Sequence, residues 1–270
     1  MFSDEEVDLL LNELVEKFGY DFTNYSRASI KRRLARLLAL DKFKSFSDFH
    51  EHLIRSDRYI SRFVQELTVN VTEMFRDPSF YRMLKEQVIP VLATHPFIRV
   101  WHAGCSTGEE VYSMAILLKE ANLLHKSLLY ATDINPAVLE RVVKGIYPLG
   151  AMKQYSENYI LAGGAEDFSS YYTAKYDLAK FDDSLKKKMI VSAHNLVSDW
   201  SFNQFQLVIC RNVLIYFNKS LQDKVLNLFD DSLERLGFLA LGAKEQIKFS
   251  DIGKKYRQID PKEKIWRKIS

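Results

Sequence analysis

Apolar side chains recur at helical spacing throughout the first quarter of the chain. Between residues 7 and 18, valine, leucine and phenylalanine return every three or four positions, and Gly19 follows as a stop signal. No stretch up to residue 68 alternates as a strand does, and none contains proline. The pattern predicts a small all-helical domain over residues 1–68. Its predicted helices are 7–18, 27–40, 46–53 and 57–67.

Beyond residue 97 the pattern changes to short apolar runs that alternate with helical segments. Such alternation predicts a mostly parallel sheet with helices on both faces. The segment 163–192 interrupts it with two adjacent glycines and several polar aromatic residues, and we expect a small inserted antiparallel β-subdomain there. A Rossmann-like α/β domain is therefore predicted over residues 69–270. Its strands are expected at 97–101, 127–131, 205–210 and 238–241, with a terminal hairpin at 256–269, and its helices at 109–124, 136–144 and 221–236.

Composition and charge exclude several classes of protein. The 270 residues are 47% hydrophobic with a formal net charge of +3. This net charge is too small to attract the protein as a whole to nucleic acid or to a membrane. No apolar run approaches the ~20 residues of a spanning helix, and the first residues are acidic where a secretory signal is basic. The six histidines lack metal-ligand spacing, and Cys105 and Cys210 suggest no disulfide framework. We expect a cytoplasmic protein that binds no metal or nucleic acid and does not insert into a membrane.

The segment richest in chemistry is residues 103–110, AGCSTGEE, between a predicted strand and a predicted helix. A glycine-containing loop there presents a nucleotide-sized ligand in Rossmann-like folds, because glycine lets the backbone approach the ligand. The loop matches neither the dinucleotide fingerprint nor the P-loop. Its carboxylates, Glu109 and Glu110, would repel a phosphate but suit a cationic sulfonium.

Asp133 ends the next predicted strand, 25 residues after Gly108. A carboxylate at this place can accept both ribose hydroxyls of an adenosine, although it can also cap the helix that follows. Together with the glycine loop, it favours a ligand that contains adenosine and needs no phosphate cradle. S-adenosylmethionine is the commonest ligand of that description.

Four segments match one family in order and spacing: 70–76 (NVTEMFR), 103–110 (AGCSTGEE), 132–135 (TDIN) and 210–217 (CRNVLIYF). Together they resemble the CheR-type chemotaxis receptor methyltransferases, which are protein-glutamate O-methyltransferases. The resemblance covers essentially the whole chain, including a helical N-terminal domain of the expected size. It implies transfer of a methyl group from S-adenosylmethionine to glutamate side chains of methyl-accepting chemotaxis receptors, with S-adenosylhomocysteine as the product.

The resemblance also implies a role for each matching residue. Arg76 matches an arginine beside the transferred methyl group, and Tyr216 a tyrosine that faces the reaction centre, so these two are the expected catalytic residues. Asp133 matches the ribose-binding position. The expected cofactor-binding residues are Asn70, Thr72, Arg76, Ala103, Gly104 and Glu109 at the methionyl end, Asp133, Asn195 and Leu196 at the adenosine, and Arg211 and Asn212 in the loop that closes the site.

Two departures from the family pattern affect these expectations. Residues 242–245 read GAKE where the family usually has Gly-x-Ser-Glu, which leaves the contacts of that loop open. The segment 171–195 is a few residues shorter than in members that dock a receptor's C-terminal pentapeptide, and it lacks their Gly-x-Gly loop. We therefore expect action without that tether.

Five basic residues lie within ten positions of the second predicted helix, with no acidic residue among them. Such a run is often only a solvated face, but it can also be a footprint for an acidic partner, and local charge of this kind sets association rate and register. We favour a footprint for the glutamate-rich cytoplasmic helices of chemoreceptors, bound by a monomeric enzyme. The residues are Arg27, Lys31, Arg32, Arg33 and Arg36.

Two other interpretations stay open at this point. The chain can be a catalytically idle scaffold that binds S-adenosylmethionine or S-adenosylhomocysteine, a reading that only Lys244 supports. It can also methylate a small molecule or nucleic acid, since the fold does not decide the acceptor; that reading leaves the helical domain and its basic face unexplained.

Overall fold

The computed structural model describes residues 3–68 and 72–270. Its first part is all-helical, as predicted. The first helix begins with a capping box, in which Ser3 Oγ accepts from the Glu6 N–H at 3.1 Å and Glu6 Oε2 accepts from the Ser3 N–H at 2.8 Å. It ends at Gly19 with a φ of +74°, a left-handed conformation that favours glycine. The helices are α1 (Asp4–Phe18), α2 (Arg27–Asp41), α3 (Phe46–Arg55) and α4 (Asp57–Leu67).

The apolar faces of these four helices meet in a core of their own. Phe22, Leu34 and Phe63 are fully buried there, and each contributes about 1.5–3 kcal/mol by leaving water. Two other clusters of buried side chains cover the two faces of the large sheet in the rest of the chain. The helical part therefore packs as a unit beside the sheet.

The second part alternates strands and helices. Its helices are α5 (Pro78–Met83), α6 (Ile89–Ala93), α7 (Glu109–Glu120), α8 (Pro136–Lys144), α9 (Met152–Leu161), α10 (Asp183–Lys186) and α11 (Lys219–Ser232). Its strands are β1 (Ile98–Ala103), β2 (Ser127–Asp133), β3 (Ile146–Pro148), β4 (Tyr172–Lys175), β5 (Leu178–Phe181), β6 (Met189–Ala193), β7 (Phe205–Cys210), β8 (Leu233–Leu241), β9 (Tyr256–Asp260) and β10 (Ile265–Lys268).

The main sheet has seven strands in the order β6-β2-β1-β7-β8-β10-β9. The first five are parallel, and the terminal hairpin of β9 and β10 adds two antiparallel strands at one edge. The chain moves outward from β1 through β2 to β6 and then returns to the other side with β7. The carboxyl ends of β1 and β7 thus lie where the strand order reverses, which is where ligands bind in open α/β sheets.

Two elements differ from the sequence prediction. The helix expected over 221–236 ends at Ser232, because Leu233–Leu241 pairs with β7 as a strand; short leucine-rich runs suit either element. The small antiparallel sheet exists, with the order β3-β5-β4, but it begins with Ile146–Pro148. The end of the expected insertion, Met189–Ala193, instead pairs with β2 at the edge of the main sheet.

Across the described ranges, none of the helices has both the length and the apolar character needed to cross a bilayer.

Candidate active site

A cavity opens at the carboxyl ends of β1, β2 and β7, and residues from both domains line it. Nine of the residues expected from the sequence lie in its wall: Thr72, Arg76, Gly104, Asp133, Asn195, Leu196, Arg211, Asn212 and Tyr216. Two expected residues are outside the lining, since Ala103 and Glu109 are buried behind it. Asn70 lies outside the described residues. The fold thus brings these nine expected residues together from positions up to 144 apart in the sequence, from Thr72 to Tyr216.

The glycine loop after β1 is tied to the end of β2. The backbone N–H groups of Gly104 and Cys105 both donate to the Thr132 carbonyl oxygen at 2.9 Å. Gly104 has a φ of +76°, and a Cβ there would lie 2.6 Å from Val213 Cγ2. Only glycine therefore lets the loop pass against the segment that follows β7, which keeps the two walls of the cavity close together.

Asp133 lies at the end of β2 with its carboxylate at the cavity. Its oxygens accept from the backbone N–H groups of Ser106 at 2.9 Å and Asn135 at 3.0 Å. Burial raises the pKa of this carboxyl, and these backbone donors oppose the rise. The cap of α8 is Asn135, whose Oδ1 accepts from the Ala137 N–H at 3.0 Å. Asp133 is thus not needed as the helix cap and is held in place as a part of the cavity wall.

The two adjacent carboxylates of α7 face different surroundings. Glu109 is 4% exposed and accepts from Thr107 Oγ1 at 2.6 Å and Tyr155 Oη at 3.4 Å. Burial raises its pKa. Glu110 instead lines the cavity, with His102 Nδ1 at 2.9 Å. Successive helical residues point about 100° apart, so Glu110 lies in the cavity wall while Glu109 lies behind it. Glu110 was not among the cofactor-binding residues expected from the sequence.

Arg211 lies in the cavity wall, and its buried side chain links Asp77, Glu110 and the backbone of Arg76. Its side chain is 4% exposed and pairs with Asp77 at 2.5 Å and with Glu110 at 3.8 Å. It also donates to the Arg76 carbonyl oxygen at 3.3 Å, and its guanidinium lies 4.1 Å from the Phe80 ring centroid. These contacts indicate that Arg211 positions the backbone of Arg76 and the carboxylate of Glu110.

The cavity wall also holds a cluster of cationic and aromatic groups. Arg76 and Tyr216 both line it, and the Arg33 guanidinium of α2 lies 5.6 Å from the Tyr216 ring centroid. Burial raises the pKa of the Tyr216 phenol, and the charges of Arg33, Arg76 and Arg32 oppose this. With a pKa above its ordinary value of about 10, the phenol is protonated at neutral pH and can donate a hydrogen bond.

A buried carboxylate holds the loop that carries Tyr216. Glu245 is 4% exposed and accepts from the backbone N–H groups of Gly242 at 2.6 Å, Asn212 at 3.1 Å and Ile215 at 3.3 Å. A Cβ on Gly242 would lie 2.8 Å from Glu245 Oε2 and 2.9 Å from the Asn212 nitrogen. The adjacent Lys244 is exposed. The departure at Lys244 therefore leaves the contacts of this loop intact, since Glu245 makes them.

Most of the basic residues of α2 are already paired within the helical domain. Arg27 pairs with Asp8, Lys31 with Asp4 at 2.8 Å, and Arg36 with Glu66 at 3.8 Å. Arg33 points toward the site and donates to the Glu66 carbonyl oxygen at 2.9 Å. Arg32 is exposed. Within this run, Arg32 and Arg36 are thus the exposed residues, and Arg33 lies against Tyr216 of the cavity wall.

Two family models match successive parts of the chain. The CheR methyltransferase all-alpha domain matches residues 5–68, and the CheR methyltransferase SAM-binding domain matches residues 70–264. The chain belongs to the CheR methyltransferase family. The chain is similar to a Pseudomonas putida protein named Cher3, with 47% identity that covers 98% of this chain and 97% of the relative. It is also similar to the chemotaxis protein methyltransferases of Listeria innocua, at 34% identity, and Listeria monocytogenes, at 32%, each covering 92% of this chain and 93% of the relative.

The cavity of this CheR-family chain suits S-adenosylmethionine, the cofactor of the family. Glu110 and Asp133 supply negative charge for a cationic ligand that carries an amino group and ribose hydroxyls. Ser106 Oγ and His194 Nδ1 are buried in the cavity lining and have no hydrogen-bond partner among the described residues. Buried polar atoms without partners cost free energy, so both are suited to contact a polar ligand. The chain is an S-adenosylmethionine-dependent methyltransferase.

Proposed function

We propose that this methyltransferase esterifies glutamate side chains on the cytoplasmic domains of methyl-accepting chemotaxis receptors. The observation that carries the proposal is the position of Arg76 and Tyr216 in one cavity wall, where a cation and a protonated phenol can hold a carboxylate. The names of the Listeria relatives, chemotaxis protein methyltransferases, support the same acceptor class.

The reaction requires the protein to align the acceptor carboxylate and to exclude water, and it does not require a general base. S-adenosylmethionine, when bound, supplies a methyl group on a positively charged sulfur. An acceptor glutamate has an ordinary pKa of about 4.3 and is already ionised at neutral pH. Arg76 and Tyr216 orient this carboxylate, and such alignment can account for roughly 7–11 kcal/mol of the barrier in favourable cases. Tyr216 acts as a hydrogen-bond donor and need not remove a proton.

The remaining residues of the wall bind the cofactor in this proposal. Asp133 accepts hydrogen bonds from the ribose hydroxyls, and Asn195 and Leu196 border the adenine. Thr72 and Glu110 face the amino-acid end, with Arg211 holding Glu110 from behind. The alternative of an idle scaffold loses its one supporting feature, because Lys244 is exposed and Glu245 makes the loop contacts.

The chemical class of the product tests the proposal. The purified protein is incubated with methyl-labelled S-adenosylmethionine and a purified receptor cytoplasmic domain, and the label released as methanol by mild base is measured. We expect base-labile label, the property of a carboxyl methyl ester. The same rate is expected for receptors with and without their C-terminal pentapeptide. Base-stable label would place the methyl group on nitrogen or another acceptor and would overturn the glutamate assignment.

Recognition of the receptor is proposed to use the part of α2 that remains open. We expect the double substitution Arg32→Ala with Arg36→Ala to lower kcat/KM for the receptor about tenfold at low salt, because local positive charge speeds association with an acidic partner. The dissociation constant of S-adenosylmethionine should not change. The difference from the wild type should shrink as salt concentration rises.

A surface arginine away from α2 provides the control for this experiment. Arg55 on α3 has a side chain that is 76% exposed and pairs with Glu51, four residues earlier. Arg55→Ala removes a positive charge from the same domain and should leave kcat/KM unchanged. Equal losses in the Arg55 and Arg32/Arg36 variants would mean that net charge rather than this surface governs the rate.

A further inference from the structure

The connection between α1 and α2 is hydrogen-bonded to the loop that carries Tyr216. The Ser26 N–H donates to the Tyr216 carbonyl oxygen at 2.7 Å, and the Asn218 N–H donates to the Asn24 carbonyl oxygen at 2.9 Å. The side chains of Asn24 and Asn218 are also joined, at 3.1 Å. Tyr25 and Phe217 face each other in this short antiparallel bridge. The helical domain is therefore attached to the reaction loop by backbone pairing.

The side chain of Tyr25 is fixed by rings from both domains. Its ring packs edge-on against Phe217, with centroids 4.9 Å apart, and against Phe22, with centroids 5.0 Å apart. Aromatic pairs in this geometry are favourable beyond their buried area. A tyrosine held in this way is already ordered before any ligand arrives, so little conformational entropy is lost when it makes a contact.

Tyr25 lines the same cavity as Asp133, although it belongs to the other domain. Burial, and then the nearby charge of Asp133, raise the pKa of Tyr25 above its ordinary value. The phenol therefore stays protonated and can donate a hydrogen bond beside the carboxylate. Leu67 and Thr68, at the end of α4, extend this wall of the cavity. The helical domain thus supplies one side of the space next to Asp133.

We propose that Tyr25, a residue of the helical domain, binds the cofactor. Its side chain contacts the adenosine half of S-adenosylmethionine beside Asp133. One ligand then touches both domains at once. Binding of the cofactor and attachment of the helical domain to the Tyr216 loop must therefore strengthen each other by the same factor. The domain that faces the acceptor protein is best positioned when the methyl donor is present.

Two substitutions at Tyr25 test this by calorimetric titration with S-adenosylmethionine, S-adenosylhomocysteine and adenosine. Tyr25→Phe keeps the ring and removes the hydroxyl, so we expect roughly threefold to tenfold weaker binding, as for the loss of one neutral hydrogen bond. Tyr25→Ala also removes the ring contacts and should weaken binding by about 30-fold or more. The factor should be the same for all three ligands, because they share the adenosine.

Tyr20→Phe is the matched control. Tyr20 lies in the same connection and stacks on Phe22 with centroids 6.2 Å apart, but it is not in the cavity lining. It should bind all three ligands like the wild type. Thermal unfolding of the ligand-free variants shows whether each one is folded.

Amide hydrogen exchange in residues 24–26 tests the coupling between the domains. Addition of adenosine should slow this exchange in the wild type but not in Tyr25→Ala. Unchanged affinity of Tyr25→Phe for all three ligands, or a loss confined to ligands that carry the methionyl half, would overturn the proposal.

Discussion

Arg76→Ala is expected to lower the turnover number of methyl transfer about 100-fold, since the lost charge-assisted hydrogen bonds to the acceptor carboxylate amount to ~3 kcal/mol. Tyr216→Phe removes one hydrogen bond from the same group and should lower turnover about tenfold. In both variants the dissociation constant of S-adenosylmethionine should change by much less than the turnover. Single-turnover rates at saturating cofactor, together with calorimetric binding constants, separate the two quantities.

Asp133→Ala should show the reverse pattern. Its carboxylate is proposed to hold two ribose hydroxyls, so affinity for S-adenosylmethionine should fall about 100-fold, whereas turnover at saturating cofactor should fall only a little. Because Asp133 also accepts from the Ser106 and Asn135 N–H groups, Asp133→Asn, which keeps the shape and one acceptor, serves as the folding control. Similar losses of cofactor affinity in the Arg76, Tyr216 and Asp133 variants would contradict this division of roles.

Residues that follow buried strands were the easiest to predict from the sequence. Asp133 and Gly104 come at the ends of apolar runs in a chain that alternates strands and helices, and the carboxyl ends of parallel strands meet at one edge of a sheet. Both line the cavity. For such residues the order of elements fixes the approximate position, and little else is needed.

Residues whose role depends on side-chain direction or on another domain could not be assigned in this way. Glu109 and Glu110 are adjacent and chemically identical, and the packing of Tyr155 and Thr107 around the first decides that the second faces the cavity. Tyr25 comes from a connection that carries no motif. Its position depends on the pairing of residues 24–26 with residues 216–218, and these two segments are about 190 positions apart in the sequence.

The basic run of α2 shows the same limit for charges. From the sequence the run has no acidic neighbour, yet Asp4 and Asp8 of α1 and Glu66 of α4 come against it in the folded domain. Helix packing therefore pairs part of the basic run with carboxylates that are distant in the sequence. Arg32 remains exposed.

We expect Glu245 to govern both the stability and the activity of the protein. Glu245→Ala should lower the free energy of unfolding by about 3 kcal/mol, because the N–H groups of Gly242, Asn212 and Ile215 lose their buried acceptor. Asn212 has a φ of +62°, an unfavourable conformation that needs such support. Turnover should fall by about 100-fold, since Tyr216 then loses its fixed position and a small misplacement is costly.

Lys244→Ala provides the matched control, because Lys244 is the exposed neighbour of Glu245 in the same loop. It should change the free energy of unfolding by less than about 0.5 kcal/mol and leave turnover unchanged. Urea unfolding followed by circular dichroism gives the stability, and turnover is measured at a temperature where every variant is folded. If Glu245→Ala kept wild-type turnover there despite its lower stability, the loop would be held in its active position by Tyr216 and its partners in the helical domain, and Glu245 would act on folding alone. The pairing of Ser26 with Tyr216 is present in either case, so only the rate of the folded variant separates these two explanations.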